Sequence, residues 1–154
     1  MRARLLAGIC LLFFAQRAVG DNLKTEYGKK NDQAQMISLV VLLSGDAAAA
    51  GKPVAVIGAV KFEFEGTQVC LSKEDIRYAV STNCLWLRVD FAALGATEDQ
   101  LASFNGEFVL LEGVFDPTDK GPFALQSGAL HHVSRLLAWE REVPDRAPES
   151  KPDR

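Results

Sequence analysis

Gly51-Lys-Pro-Val54-Ala-Val56-Ile-Gly58 and Gly106-Glu-Phe-Val109-Leu-Leu111-Glu-Gly113 are written in one frame, G-x-x-V-x-(V/L)-x-G. Each copy runs on into an apolar pair, Ala59-Val60 and Val114-Phe115. A glycine turn enters a strand, apolar residues recur at period two, and a second glycine falls where a strand bends or bulges. Two curled strands of this kind in a short chain point to a small, mainly β barrel with short helices.

The rest of the chain fits around those two strands. Ser38 stands where it would cap a short helix through Leu39, Leu42 and Leu43, ending near Gly45, with Ala47–Ala50 as a further turn. The first long strand places Val54, Val56, Gly58, Val60, Phe62 and Phe64 on one face and Lys61, Glu63 and Glu65 on the other. Glu65-Gly66-Thr67 reads as a hairpin turn into a strand over Gln68–Leu71. Ser72-Lys-Glu-Asp75 resembles a capping box, with Ile76, Ala79 and Val80 as the apolar side of its helix. Cys84–Val89 alternates again, Leu85, Leu87 and Val89 facing one way and Cys84, Trp86 and Arg88 the other. A helix opening at Thr97 and buried through Leu101 and Phe104 precedes the second glycine frame. Asp116–Gly121 is a turn-rich connection, and a last strand is expected from about Phe123 to Leu136, bent near Gly128.

Five strands with a helix between the third and fourth match the oligonucleotide/oligosaccharide-binding (OB-like) barrel. The string Ser38-Leu39, Leu42-Leu43, Gly51-Lys52-Pro-Val54-x-Val56-x-Gly58 resembles the opening of many small bacterial domains of that fold. With Phe62-Glu-Phe-Glu-Gly66, Leu71-Ser-Lys-Glu-Asp75, Asn83-Cys-Leu-Trp86, Val109-x-x-Glu112-Gly113-x-Phe115 and Ser127-Gly128, the likeness extends over nearly all of 38–139. It is a likeness to uncharacterised exported bacterial proteins. It implies a five-stranded OB-like barrel and carries no catalytic residues.

The ends are read separately from the barrel at 36–139. Met1-Arg-Ala-Arg4, an apolar stretch from Leu5 to Ala15, and Ala18-Val19-Gly20 before Asp21 have the form of a cleavable signal peptide over 1–20. That apolar stretch falls short of the roughly 20 residues a membrane-spanning helix needs. Cys10 follows Ile9 and so belongs to the signal, not to a lipid-attachment site. Residues 21–35 and 140–154 are polar, the latter with Pro144, Pro148 and Pro152, and are expected to be a flexible segment and a disordered tail. The chain therefore reads as exported, to the periplasm or outside the cell. Without residues 1–20 it carries 14 Lys/Arg (17 − 3) against 20 Asp/Glu, a balance of −6. Nucleic-acid binding that draws its affinity from phosphate neutralisation is disfavoured at that charge.

Four groups of residues carry candidate chemistry. Cys70 and Cys84 lie on facing strands, and an oxidising compartment permits a bridge between them; two free thiols are the alternative. Glu63, Glu65, Glu74 and Asp75 are the weak candidates for a Ca²⁺ or Mg²⁺ site, though each acid also has an ordinary place on a solvated strand face or in a first helical turn. His131-His132 on one strand would point to opposite faces and so would not share a metal. One of the two is expected beside Trp139 or Trp86. Gln68, Trp86 and Arg88, with Tyr78 nearby, form the face such barrels use for ligands; alternatively Trp86 packs under the Ser72–Ser81 helix. No phosphate loop, catalytic triad, metal motif or cofactor motif is present.

These residues lead first to an exported, non-catalytic binding domain for a protein partner or cell-envelope component. A glycan or small-ligand binder using Trp86 and Arg88, and an envelope hydrolase using Glu63 and Glu65, are the alternatives.

Overall fold

A computed structural model describes residues 25–139. The expected signal peptide and the charged tail from 140 onward lie outside the described residues, as do 21–24. In chain order the elements are β1 (Glu26–Gly28), β2 (Gln35–Met36), α1 (Leu39–Leu43), β3 (Pro53–Lys61), β4 (Gln68–Cys70), α2 (Lys73–Arg77), a 3-10 turn (Ser81–Asn83), β5 (Cys84–Leu87), α3 (Phe91–Leu94), α4 (Glu98–Ala102), β6 (Phe108–Asp116) and β7 (Ala129–Ala138).

Strands β3 to β7 close on themselves. β3 pairs antiparallel with β4, β4 with β5, β5 runs parallel to β7, β7 pairs antiparallel with β6, and β6 returns to β3. That circuit is a closed five-stranded barrel of OB-like type, with α3 and α4 between its third and fourth strands.

The two glycine frames turn out to be each other's partners. β3 and β6 pair about Val56↔Leu111, so that Val54 stands opposite Gly113 and Gly58 opposite Val109. The frames' first glycines are related in the same way. Gly51 N donates to Phe115 O at one end, and Gly106 N donates to Val60 O at the other. Both sit at positive φ, 71° and 79°, where a side chain would be strained. The repeat is therefore a local two-fold in the barrel wall. Val54, Val56, Val60, Val109, Leu111 and Phe115 are all fully buried, and each such side chain contributes about 1.5–3 kcal/mol of burial.

The boundaries differ from the sequence pattern in four places. β3 stops at Lys61 because the Asn105 side chain takes over the backbone of Phe62, its Oδ1 accepting from Phe62 N at 2.6 Å and its Nδ2 donating to Phe62 O at 3.2 Å. Phe62 stays buried, but Phe64, Glu63 and Glu65 leave the sheet, and Phe64 is 87% exposed. α2 is capped as expected, Ser72 Oγ accepting from Asp75 N, yet it buries no residue: it ends at Arg77, and Ala79 at φ 53° turns the chain away. β7 starts at Ala129, so Phe123 and Leu125 lie in the loop. Residues 25–35, expected to be loose, supply β1 and part of β2. Tyr27 is buried there with its ring edge-on to Phe104 at 6.1 Å.

Cys70 and Cys84 are directly opposite in register and are joined by a disulfide, with Cα atoms 4.0 Å apart. The neighbouring pair carries the hydrogen bond, Leu71 N to Asn83 O, which leaves the cysteines at the closer, non-hydrogen-bonded position. A bridge across 14 residues of separation stabilises by roughly 3 kcal/mol in the chain-entropy model. Thr97 and Gln100 complete a reciprocal capping box on α4. No helix among the described residues is long and apolar enough to cross a membrane.

Candidate functional site

Position on the barrel decides which side chains can meet. Leu85 and Leu87 face inward, so Trp86 and its cross-strand partner Gln68 face outward, beside the Cys70–Cys84 bridge. Trp86 is also level with Ala129 of β7 in the parallel pair. The loop entering β4 (residues 62–67) therefore leaves the barrel at the Lys61–Gln68 end, whereas the loop entering β7 (residues 117–128) starts from the opposite end, where Asp116 pairs with Ala129.

The loop from Pro117 to Gly128 folds back over that outward face. Gly121, at φ 74°, lies against the Trp86 ring, and a Cβ placed on it would come within 3.2–3.3 Å of ring atoms. Gln126 Nε2 donates to Gln68 Oε1 at 3.2 Å. Ser127 Oγ donates to Thr82 O at 2.7 Å, and Ser127 N to Cys84 O at 3.1 Å. Gln68 is buried as a result, and Trp86 is half-buried. The cover expected from the Ser72–Ser81 helix comes instead from this loop.

Asp119 ties the loop down. Its Oδ2 accepts from Arg88 Nε at 2.6 Å and lies 2.8 Å from His131 Nε2, while Oδ1 accepts from Gly121 N at 3.0 Å. The Arg88 hydrogen bond is the main reason its carboxyl is held well below the usual range, at about 2, with Gly121 N and His131 adding to it against the burial penalty. Asp116 is lowered too, chiefly by its hydrogen bonds from the Thr118 hydroxyl and amide. A depressed folded-state value stabilises above the unfolded value and loses that contribution as pH falls through the folded one. Asp119→Asn should accordingly lower stability by about 1–2 kcal/mol at neutral pH, less at high salt because Arg88 is largely exposed. In acid titrations of both proteins the difference should shrink below pH 3.8 and vanish near 2; a gap that persists there would mean the loss is not electrostatic.

His131 and His132 do not point to opposite faces. Between Glu112 and Val114 the β6–β7 register slips, and His132 takes φ 49° in the resulting bulge. The two rings then lie edge-on at 6.4 Å. Both line a concavity of about 370 Å³ with Gly51, Phe115, Asp116 and Pro117. Among the described residues no ring contact joins either to a tryptophan, and His131 is taken by Asp119.

The remaining candidates are dispersed. Tyr78 is exposed, with the Arg77 guanidinium over its ring at 5.4 Å. Glu63 pairs with Lys61 at 2.8 Å in the exposed turn, and Glu65 stands beside it at φ 55°. Asp75 accepts from Asn83 Nδ2 at 2.8 Å and from Ser72 Oγ at 2.7 Å, which lowers its pKa, the Asn83 bond most. Glu74 is solvated in the first turn of α2. Among the described residues no group of three or more His, Cys, Asp or Glu side chains comes together to hold a metal.

Asp119 and Gln126 are the site residues the sequence pattern missed; the His131-His132 dipeptide points to His131 but not to its link with Asp119. The available signal was Asp116-x-x-Asp119, two turn-forming acids.

A scan against protein-family models finds no match, and a search of curated proteins finds none either. Among solved structures, the chain is similar to one assigned as an aspartyl-tRNA synthetase from Leishmania major Friedlin. Sequence identity is 10% and the TM-score 0.41, over 75% of this chain and 22% of that one. So slight a likeness carries no argument about function, and the barrel assignment rests on the closed strand circuit alone.

Proposed function

We propose that this chain is an exported, non-catalytic binding domain that holds a protein partner in the cell envelope through exposed apolar side chains on the loops that enter β4 and β7. The observation that carries this reading is the exposure of Phe64 (87%), Phe123 (61%) and Leu125 (54%) on those loops. Large apolar side chains held in water on loops are an interaction surface more readily than a structural necessity. The net negative charge supports a protein over a polyanion as the partner. A hydrolase built on Glu63 and Glu65 has less support, since both lie in an open turn.

The test is a triple variant, Phe64→Ser/Phe123→Ser/Leu125→Ser, which removes only solvent-facing groups and should stay within about 0.5 kcal/mol of the parent stability per site. Immobilised parent protein exposed to envelope extract should retain a stoichiometric protein complex. The triple variant should bind that same protein about tenfold more weakly or worse. Equal retention by both would sink these loops as the binding surface. Self-association lost in the triple variant would make a second copy the partner. For export, the mature protein recovered from a secreting host should begin at Asp21, and recovery of intact 1–20 would overturn that part.

A further inference from the structure

We propose that Pro117–Gly128 is a strap that closes the outward β4–β5 face of the barrel, and that Asp119 is its latch. The closure is a property of the chain alone and does not depend on what its exposed loops bind.

The strap can move without the barrel moving. Its two flanking residues, Asp116 and Ala129, are paired with each other in the β6–β7 ladder, so the twelve residues between them form a closed excursion. Little apolar burial holds it in place. Phe123 and Leu125, its two large apolar side chains, face solvent. What fastens it is polar: Asp119 to Arg88 and His131, Gln126 to Gln68, and Ser127 to Thr82 and Cys84. Lys120 Nζ closes the strap on itself by donating to Ser127 O at 2.6 Å. The charged and titratable groups that meet the latch are Arg88 from the end of β5, His131 from β7 and Asp116 from the end of β6.

The closed form is not a fully satisfied one. Gln126 Oε1 is buried with no hydrogen-bond partner, and Ala124 is held at φ 55°. Both features cost free energy that opening would release. Under the strap lies what such a barrel face needs for a ligand: the Trp86 ring, the Gln68 amide and, once Asp119 lets go, the Arg88 guanidinium. Closed, Gly121 occupies the ring face where another planar group would stack. The strap is thus an autoinhibitory cover, and a segment fastened by a few polar contacts belongs to the low-stability end of a fold.

The experiment uses Trp86 fluorescence in a Trp139→Phe background, so that one indole reports. Acrylamide quenching is measured for that protein, for Asp119→Asn and for Arg88→Gln. Amide hydrogen exchange is followed at Gly121, Ala124 and Gln126 in the strap and at Val56 and Leu111 in the barrel wall. Breaking the latch should raise the quenching constant about twofold or more and speed strap exchange about tenfold, the strap amides staying far less protected than the barrel amides and exchanging independently of low denaturant. Quenching that stays at the parent value in both variants would overturn the proposal. So would strap amides that exchange only at the rate and with the denaturant dependence of the barrel amides, since that reports global unfolding and not a local opening. Arg88 lies beyond the end of β5 with its side chain 57% exposed, so Arg88→Gln keeps the test intact even if Asp119→Asn folds poorly.

Discussion

Gly58→Val should destabilise the barrel by about 3 kcal/mol or more, whereas Gly113→Ala, at the matching position of the other glycine frame, should cost distinctly less. A Cβ on Gly58 would stand 2.6 Å from Val69 Cγ2, 2.7 Å from Cys70 O and 3.0 Å from Leu39 Cδ2. None of these neighbours can withdraw easily. Val69 is fully buried, Cys70 is pinned to Cys84 by the disulfide, and Leu39 belongs to the helix that closes this side of the barrel. At Gly113 the corresponding approach is one carbonyl, His131 O at 2.9 Å, with all else at 3.5 Å or beyond, and it falls in a bulge where the ladder is already irregular. Thermal melts followed by circular dichroism would show the contrast. A loss of this size lowers the midpoint by on the order of 10 °C or more in a domain of this length. Equal losses at the two positions would mean that the frame's pseudo-symmetry extends to its packing, contrary to the distances above.

That contrast also marks what the sequence could disclose. Period-two apolar residues and the repeated glycines place β6 and the start of β3 to within a residue or two, because both patterns report directly on burial and backbone freedom, while the expected run to Phe64 overshoots the end of β3 at Lys61. They do not reveal that the two frames pair with one another, since pairing is a property of the closed circuit. The helix starts at Ser72 and Thr97 were legible because capping is local. Phe64, Phe123 and Leu125 were misassigned to strands for the opposite reason. Apolarity signals burial on average, and nothing local distinguishes an exposed loop phenylalanine from a core one. The Gln68–Trp86 face was placed correctly on facing strands. Its cover was not, because the strap is held by single long-range contacts from Asp119 and Gln126, which leave no periodic trace. Likewise β1 is too short for any periodicity; it is held by a charged side chain over 100 residues away in sequence, Arg135 to Glu26.

That side chain carries the other large expected effect. Arg135→Leu should cost about 3–5 kcal/mol, because it strands a buried carboxylate. Glu112 lies in the middle of β6 with its side chain 4% exposed, and Arg135 opposite it in register donates Nη1 to Glu112 Oε1 at 3.0 Å and Nε to Glu26 Oε1 at 2.6 Å. The other carboxylate oxygen of Glu112 accepts from Asn31 N at 2.6 Å. One guanidinium thus neutralises the buried acid and fastens β1, and through Glu112 the 29–34 segment, to the barrel wall. The Glu112 hydrogen bond is also the chief reason the Arg135 guanidinium holds its proton more firmly than usual. Arg135→Lys keeps the charge but not the planar fork, so it should recover only part of the loss. The double variant Arg135→Leu/Glu112→Leu separates the two contributions. With no charge left to strand, it should be more stable than Arg135→Leu alone, although Asn31 N loses its acceptor. Urea unfolding of the parent, Arg135→Leu, Glu112→Leu and the double variant gives the coupling directly. If the double variant proves no more stable than the single one, the penalty lies in lost packing of the arginine stem and not in the buried carboxylate.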